Sequence, residues 1–194
     1  KVGGPADIFF TPNDRKDLSD FLKSNDCIIT WLGNGTNILV RDAGVRGAVI
    51  STRKSLNKIE LIDQSNYLVE VGVSCFELAM YATKNNFGPA AFFSGIPGSI
   101  GGALTMNAGC FGNETWEFVK SVEVMDRNGE IHQLDPKEFS ISYRSVGFPF
   151  PLWFLSCVMS FPEEGFTTIE ELKSMRDSRL ERQPLTENTC GSVD

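Results

Sequence analysis

The sequence has a single histidine, no closely spaced cysteines and no long apolar run. Because His132 stands alone among 194 residues, we expect neither a histidine-based metal site nor a Ser-His-Asp triad. No apolar run approaches the roughly 20 residues needed to cross a bilayer, and we expect no signal peptide. The sequence therefore predicts a protein without a bound metal ion and without membrane insertion.

The five cysteines indicate a reducing compartment. Cys27, Cys75, Cys110, Cys157 and Cys190 are odd in number, far apart and outside any C-x-x-C motif. This usage is typical of free thiols in a cytosol, so we expect a cytoplasmic protein in which each cysteine acts as a small buried hydrophobe.

The charge balance excludes one class of partner. The formal net charge is −7, and lysine and arginine are scattered along the chain instead of forming a basic stripe. Nucleic acid is therefore not expected as a partner. A small anionic ligand remains open, because local cations and N–H groups decide whether it binds.

The length allows one sizeable core or two small lobes that share a cleft. The polar residues 51–57 follow a predicted strand and precede another, so we place a lobe boundary there. The sequence shows no internal repeat and no long linker.

Residues 94–109 carry the strongest functional signal, and we call them the second glycine segment. Gly95, Gly98, Gly101 and Gly102 fall within eight residues of this segment. Missing Cβ atoms let the backbone approach a large flat or charged ligand. The spacing predicts a helix over residues 99–106, which would expose the N–H groups of Gly101 and Gly102 to a phosphate. The alternative is a glycine-rich turn without a ligand.

Another candidate binding region lies earlier in the chain, at residues 33–37. Because it comes first in the sequence, we call it the first glycine loop. Apolar runs over residues 27–32 and 38–40 predict a strand on each side of it. The loop is similar to the opening of the dinucleotide motif G-x-G-x-x-G, but Ile38 replaces the third glycine and no helix is predicted to follow. A Rossmann site is therefore disfavoured.

The first glycine loop could still bind a pyrophosphate through consecutive main-chain N–H groups. Asn34, Thr36 and Asn37 would add side-chain donors. The alternative is a simple hairpin turn.

Local signals predict several further elements. Thr11 is a candidate N-cap for a first helix, and Ser74 with Glu77 forms a capping box for a second. Alternating residues 119–125 and 130–134 around a turn predict a β-hairpin, and residues 153–161 a strand. A last helix is predicted from residue 167. Its Arg176, Arg179 and Arg182 share one face, which is either a binding face or a solvated mixed-charge face.

Six ordered blocks resemble the UDP-N-acetylenolpyruvoylglucosamine reductase family. In sequence letters the blocks are VGGPA from residue 2, LGNGTNILV from 32, GIPGSIGGA from 95, MNAG from 106, YRS from 143, and QP at 183 followed by GSV from 191. The resemblance covers nearly the whole chain in order and spacing.

The resemblance implies an α+β FAD-binding fold of the vanillyl-alcohol oxidase and p-cresol methylhydroxylase type. It assigns residues 1–56 and 57–163 to two FAD-binding lobes and residues 164–194 to the start of a substrate-binding domain. The cofactor-binding residues that it implies are Gly33, Asn34, Gly35, Thr36, Asn37, Ile38, Gly95, Ile96, Pro97, Gly98, Ser99, Gly101, Gly102, Asn107, Ala108 and Gly109.

The same resemblance implies an enzyme, a UDP-N-acetylmuramate dehydrogenase of bacterial peptidoglycan precursor synthesis. Such an enzyme uses NADPH and FAD to reduce the enolpyruvyl ether of a nucleotide sugar. Arg144 matches the family's active-site arginine and would stabilise charge on the substrate carboxylate. Ser192 matches the serine that donates a proton to carbon. Tyr143, Arg179 and Arg182 match substrate-binding positions.

Other readings remain open at this point. Without the resemblance to this family, we would assign Arg144 to a surface ion pair and the Ser192 hydroxyl to a turn. After residue 193 the family continues Phe-Lys-Asn-Pro and later supplies a glutamate, so we expect the natural protein to be longer. An oxidase of the same fold and a non-catalytic flavin-binding module are the alternatives. We expect a monomer.

Overall fold

The computed structural model describes residues 3–162 and 167–182. Its helices are α1 (Arg15–Ser24), α2 (Cys75–Lys84), α3 (Ile100–Met106) and α4 (Ile169–Arg182). Its strands are β1 (Ala6–Phe10), β2 (Ile29–Leu32), β3 (Val45–Ser51), β4 (Ile59–Leu61), β5 (Asn66–Glu70), β6 (Gly109–Cys110), β7 (Asn113–Glu114), β8 (Val119–Asp126), β9 (Ile131–Leu134), β10 (Ser140–Ser142), β11 (Ser145–Gly147) and β12 (Leu152–Ser160).

A three-stranded parallel sheet comes first in the chain, in the order β1-β3-β2. Helix α1 connects β1 to β2, and its Leu18 and Leu22 are buried. The expected N-cap at Thr11 is wrong, because the side chain of Asp14 accepts the N–H of Asp17 and so caps the helix three residues later.

A five-stranded antiparallel sheet follows, in the order β4-β5-β12-β8-β9. The central strand β12 comes late in the chain, so this sheet forms only when segments that are far apart in the sequence pair with each other. The predicted hairpin is confirmed as β8 and β9, and the predicted capping box of Ser74 and Glu77 is confirmed at α2. Two further two-stranded sheets pair β6 with β7 and β10 with β11.

The main core lies where α2, the 3₁₀ helix Gly88–Gly95 and α3 pack with the five-stranded sheet. Tyr67, Phe93 and Phe161 are fully buried there, and the ring of Phe161 contacts the rings of the other two. Burial also raises the pKa of the Cys75 thiol to about 12, so this group is neutral. The mixture of helices and sheets confirms the expected α+β class.

The two larger sheets contact each other through aromatic and charged side chains. Trp31 of β2 stacks on Trp153 of β12 with ring centroids 5.9 Å apart. Arg15 of α1 forms ion pairs with Glu123 and Glu70 of the five-stranded sheet. The lobe boundary near residue 56 stays a prediction. In the described part of the chain, no helix has the length and apolarity that a membrane span requires.

Candidate functional site

The first glycine loop is an exposed turn at the end of β2. The expected strand over residues 38–40 is wrong. Strand β2 ends at Leu32 opposite Ser51, the last residue of β3, so residues 38–40 have no neighbouring strand with which to pair. Ile38 is exposed, and Leu39 keeps 77% of its surface open to solvent.

The second glycine segment contains the predicted helix. Ser99 is its N-cap, and α3 begins at Ile100, so the helix prediction is confirmed. The expected exposure of the Gly101 N–H is wrong, however, because this group donates to the carbonyl of Val71 at 3.0 Å. The N–H of Gly102 points to Ser99 Oγ at 3.4 Å. These donors are occupied by protein acceptors. The predicted place of Gly101 and Gly102 in the cofactor site stays a prediction.

The two glycine-rich regions contact each other. Thr36 Oγ1 donates to the carbonyl of Pro97 at 2.7 Å. A Cβ on Gly33 would lie only 2.5 Å from Ser99 Oγ, and one on Gly98 would lie 3.2 Å from Thr36 Oγ1. The absence of these two Cβ atoms is therefore what lets the loops approach.

Main-chain donors at this contact have no acceptor among the residues that the structure describes. Within residues 3–162 and 167–182, no group accepts the N–H of residues 34–37, of Gly98 or of Ser99. Ser99 is 2% exposed, so water has little access to satisfy it. Consecutive free N–H groups form a concave anion-binding surface, and this surface fits the pyrophosphate of a dinucleotide.

Residues 107–109 anchor the far end of α3. Asn107 is left-handed at φ 42°, and its Nδ2 donates to Glu114 Oε2 at 2.7 Å and to the carbonyl of Ser142 at 3.2 Å. Its Oδ1 accepts the N–H of Trp116. The Asn107 amide is thus occupied within the protein. Its predicted place in the cofactor site, and that of Ala108, stays a prediction.

Arg144 lies at the tip of the β10–β11 hairpin. Its φ of 57° is left-handed, which is unfavourable for a residue with a side chain. Its Nη2 lies 3.5 Å from the carbonyl of Gly109, and its guanidinium lies 5.5 Å from the ring centre of Tyr143. No described carboxylate pairs with it. The hairpin therefore presents an unneutralised cation beside the end of the second glycine segment.

Helix α3 connects the anion-binding surface to Arg144. Gly33 of the first glycine loop approaches Ser99 at the start of α3, and Arg144 contacts Gly109 just beyond the end of α3. Seven helical residues span about 10 Å. A ligand whose phosphates and reactive ring lie at different ends fits this separation.

Some predicted residues are not located. Ser192 lies outside the described residues. Arg179 and Arg182 belong to α4, but their side chains are not described. Arg176, which shares their spacing, lies over the ring of Phe76 on α2 with its guanidinium 4.6 Å from the ring centre. One member of the arginine face therefore packs between helices.

The structure adds three residues to the predicted site residues, of which Glu114 and Phe111 lie outside both glycine regions and Ser94 is the first residue of the second glycine segment. Glu114 orients Asn107, as described above. Phe111 is half exposed at φ 53°, and a Cβ on Gly95 would lie 2.7 Å from its ring. Ser94 Oγ is buried without a partner among the described residues. Phe111 had a sequence signal that could have indicated it, because it is an aromatic residue among small ones.

Comparison with known proteins explains this arrangement. Residues 6–135 match the FAD binding domain family. The chain is 40% identical over its whole length to UDP-N-acetylenolpyruvoylglucosamine reductase of Legionella pneumophila (strain Paris), covering 65% of that protein. It is 37% identical to the same-named protein of Coxiella burnetii (strain Dugway 5J108-111), covering 68% of it.

The chain belongs to the UDP-N-acetylenolpyruvoylglucosamine reductase family. The crystal structure of a UDP-N-acetylenolpyruvylglucosamine reductase from Thermus caldophilus superposes with a TM-score of 0.70 at 26% identity, over 93% of this chain and 64% of that one. The chain spans about 65% of the length of its curated relatives. Family membership confirms the expected FAD-binding fold, with the first glycine loop and the second glycine segment inside the FAD domain match.

A structure of berberine bridge enzyme shares the fold at 14% identity and a TM-score of 0.56, over 80% of this chain and 34% of that one. This likeness extends the fold to a wider group of proteins. It says nothing further about the chemistry of this chain.

Proposed function

We propose that the natural protein containing this chain is an NADPH-dependent reductase that converts UDP-N-acetylglucosamine enolpyruvate to UDP-N-acetylmuramate. The observation that carries the proposal is the contact between the first glycine loop and residues 97–99, which leaves a row of N–H donors without acceptors in the described part of the chain. This observation lies inside a chain that matches named reductases of this kind over its full length.

In this proposal the N–H groups of residues 34–37, Gly98 and Ser99 hold the FAD pyrophosphate. Thr36 is then a bridge between the two loops, since its hydroxyl is already donated to Pro97. Asn34 and Asn37 have no described side-chain partner and remain available to the ligand. Bound FAD would supply the hydride to the enolpyruvyl carbon.

Arg144 is proposed to stabilise the substrate carboxylate. Hydride addition to the carbon β to this carboxylate builds negative charge on it, and a fixed guanidinium can make two parallel hydrogen bonds to it. Two features support the role: Arg144 is held in a strained backbone conformation, and no described carboxylate neutralises it. Tyr143 is 75% exposed beside it and is proposed to contact the substrate.

The remaining roles rest on the family resemblance. Ser192 is proposed to donate the proton that completes reduction, and Arg179 and Arg182 to bind the substrate diphosphate. NADPH is proposed to reduce FAD in the same cleft before the substrate enters. The proposed partners are therefore small molecules, and the proposed location is the bacterial cytoplasm.

The test uses the natural full-length protein loaded with FAD. NADPH oxidation is followed with and without UDP-N-acetylglucosamine enolpyruvate. We expect substrate-dependent oxidation, and we expect Arg144→Ala to lower kcat by about 10²- to 10³-fold, the usual effect of removing a group that stabilises transition-state charge. Arg144→Lys should restore only part of this rate, because an ammonium cannot form the bidentate contact.

Arg53→Ala is the matched control, since Arg53 is exposed and forms no described ion pair. It should leave kcat unchanged. A colourless protein that takes up no FAD would contradict the proposal. Reoxidation by oxygen with a substrate-independent rate would instead favour an oxidase or a flavin-binding module.

A further inference from the structure

The turn between β8 and β9 brings three metal-ligating side chains together, away from the glycine regions. Asp126, Glu130 and His132 each place one donor atom within 4.8 Å of the others. His132 Nε2 lies 3.0 Å from Asp126 Oδ2. The sequence argument against a metal site counted histidines only, and it did not anticipate that one imidazole would meet two carboxylates.

The two inner donors lie close to the spacing of ligands in a metal site. Two ligand atoms that each lie about 2.1 Å from one tetrahedral Zn²⁺ are about 3.4 Å apart. Asp126 Oδ2 and His132 Nε2 are 3.0 Å apart and share a hydrogen bond, so a small rotation of the two side chains would admit an ion in place of that bond. Glu130 is exposed, and its side chain can rotate to supply the third donor.

The two inner ligands are held in place by their surroundings. Asp126 Oδ1 accepts the N–H groups of Asn128 at 2.8 Å and Glu130 at 3.0 Å, which leaves Oδ2 to face His132. The imidazole lies edge-on against the ring of Phe150, with centroids 5.5 Å apart. Such outer contacts fix ligand orientation in metal sites.

The local charge also favours a cation. Asp126 and Glu130 bring two carboxylates to the turn beside the imidazole. The guanidinium of the neighbouring Arg127 is bound elsewhere, since its Nη2 donates to the carbonyls of Asn25 and Cys27 and lies near Asp26.

We propose that Asp126, Glu130 and His132 form a binding site for a first-row divalent transition metal such as Zn²⁺. One imidazole with two carboxylates suits Zn²⁺ and its neighbours better than Mg²⁺ or Ca²⁺, which prefer oxygen ligands alone. Three protein ligands leave at least one position for water.

An ion at this turn would act on the contact between the two larger sheets. The same turn binds α1, because Ser19 Oγ donates to the carbonyl of Gly129 at 2.8 Å. Arg127 also contacts the chain just after α1, because its Nη2 donates to the carbonyls of Asn25 and Cys27. Cross-linking Asp126 to His132 would therefore stiffen the surface that anchors the first sheet. The expected consequence is a higher melting temperature when Zn²⁺ is bound.

The test is calorimetric titration of the FAD-loaded full-length protein, freed of metal by a chelator, with Zn²⁺ alone. We expect one saturable site. We expect His132→Gln and Glu130→Gln each to lower Zn²⁺ affinity at least about tenfold, which corresponds to 1.4 kcal/mol. Zn²⁺ should raise the melting temperature of the parent protein and not of the variants.

Four controls separate this site from other ways of binding zinc. Glu138→Gln removes a carboxylate elsewhere and should leave the affinity unchanged. A double Cys27→Ser, Cys190→Ser variant should also bind normally, and Co²⁺ in the site should show no thiolate charge-transfer absorption. Mg²⁺ should produce no saturable heat. Absence of a saturable Zn²⁺ site in the parent protein would overturn the proposal. So would a Zn²⁺ affinity of the His132 and Glu130 variants equal to that of the parent protein.

Discussion

The first glycine loop and the second glycine segment share a composition but use it differently. The first loop is exposed, has no regular structure and leaves its N–H groups free of described acceptors. The second segment is largely buried, and the N–H of Gly101 is bonded to Val71. Glycine thus allows an exposed loop to approach its neighbour in one region and close core packing in the other.

The difference teaches that a glycine-rich sequence does not by itself locate a ligand. At Gly101 the missing Cβ admits a neighbouring strand, because an added Cβ would lie 3.0 Å from Val71 Cβ. At Gly98 the backbone needs φ 152°, and the space beyond it holds only Thr36 Oγ1. At Gly98, where the two regions meet, a main-chain N–H without a described acceptor lies beside space that holds only Thr36 Oγ1.

The largest expected effect is on the stability of the fold, when Gly101, the glycine that packs against Val71, is replaced. Gly101→Val would force a branched side chain against Val71, so we expect the free energy of unfolding to fall by about 3 kcal/mol, as overpacking of a core does. Urea denaturation of the FAD-free protein, followed by circular dichroism, measures this change.

Gly102→Ala is the matched control one residue away. Gly102 is exposed, and its added Cβ would meet only Ser99 Oγ, at 3.8 Å. Alanine should raise the free energy of unfolding by about 0.5–1 kcal/mol, because glycine is unfavourable inside a helix. Equal losses in the two variants would show that α3 does not pack against β5 and its continuation as described.

The next effect concerns ligand access. Gly98→Val combines an unfavourable φ with a side chain directed at Thr36, so it should separate the loops and weaken FAD binding at least about tenfold, or 1.4 kcal/mol. Flavin fluorescence titration of the FAD-free protein measures the affinity. A variant with normal affinity would contradict the role of the loop contact in cofactor binding.

Removal of the bridging hydroxyl should have a smaller effect. Thr36→Val keeps the shape of the side chain and deletes its hydrogen bond to the Pro97 carbonyl, so FAD affinity should fall by about 1 kcal/mol, roughly fivefold. Thr36→Ser retains the hydroxyl and should bind FAD nearly as the parent does. If the serine variant were as weak as the valine variant, packing of the methyl group would be the important contact.

The sequence predicted what local signals determine. The capping box at α2 and the turn before β9 each lie within a few residues of chain, and both are confirmed. The N–H of Gly101 was wrongly expected to be free because its acceptor, Val71, lies 30 positions earlier in the chain. The meeting of Asp126, Glu130 and His132 was missed because their pairing depends on the register of the hairpin, which brings His132 opposite Val124.

Family resemblance supplied the residues of the site, and the structure supplied their arrangement. No local pattern places Arg144 beside Gly109, since that contact requires the β10–β11 hairpin to fold back on α3. The contact of Thr36 with Pro97 likewise joins residues 61 positions apart. Both contacts depend on long-range packing that periodicity does not encode.

The smallest expected effect distinguishes Arg144 from the glycines around it. Arg144 adopts the left-handed conformation that glycine tolerates best, so the chain keeps a side chain where its backbone disfavours one. Arg144→Gly should therefore raise the free energy of unfolding by about 0.5 kcal/mol, the strain released less the greater entropy of an unfolded glycine. The same variant should slow NADPH-dependent reduction of the substrate, as we expect of Arg144→Ala. Gain of stability with loss of activity would show that the strain is retained for the guanidinium, whereas loss of both would assign Arg144 to the hairpin's own folding.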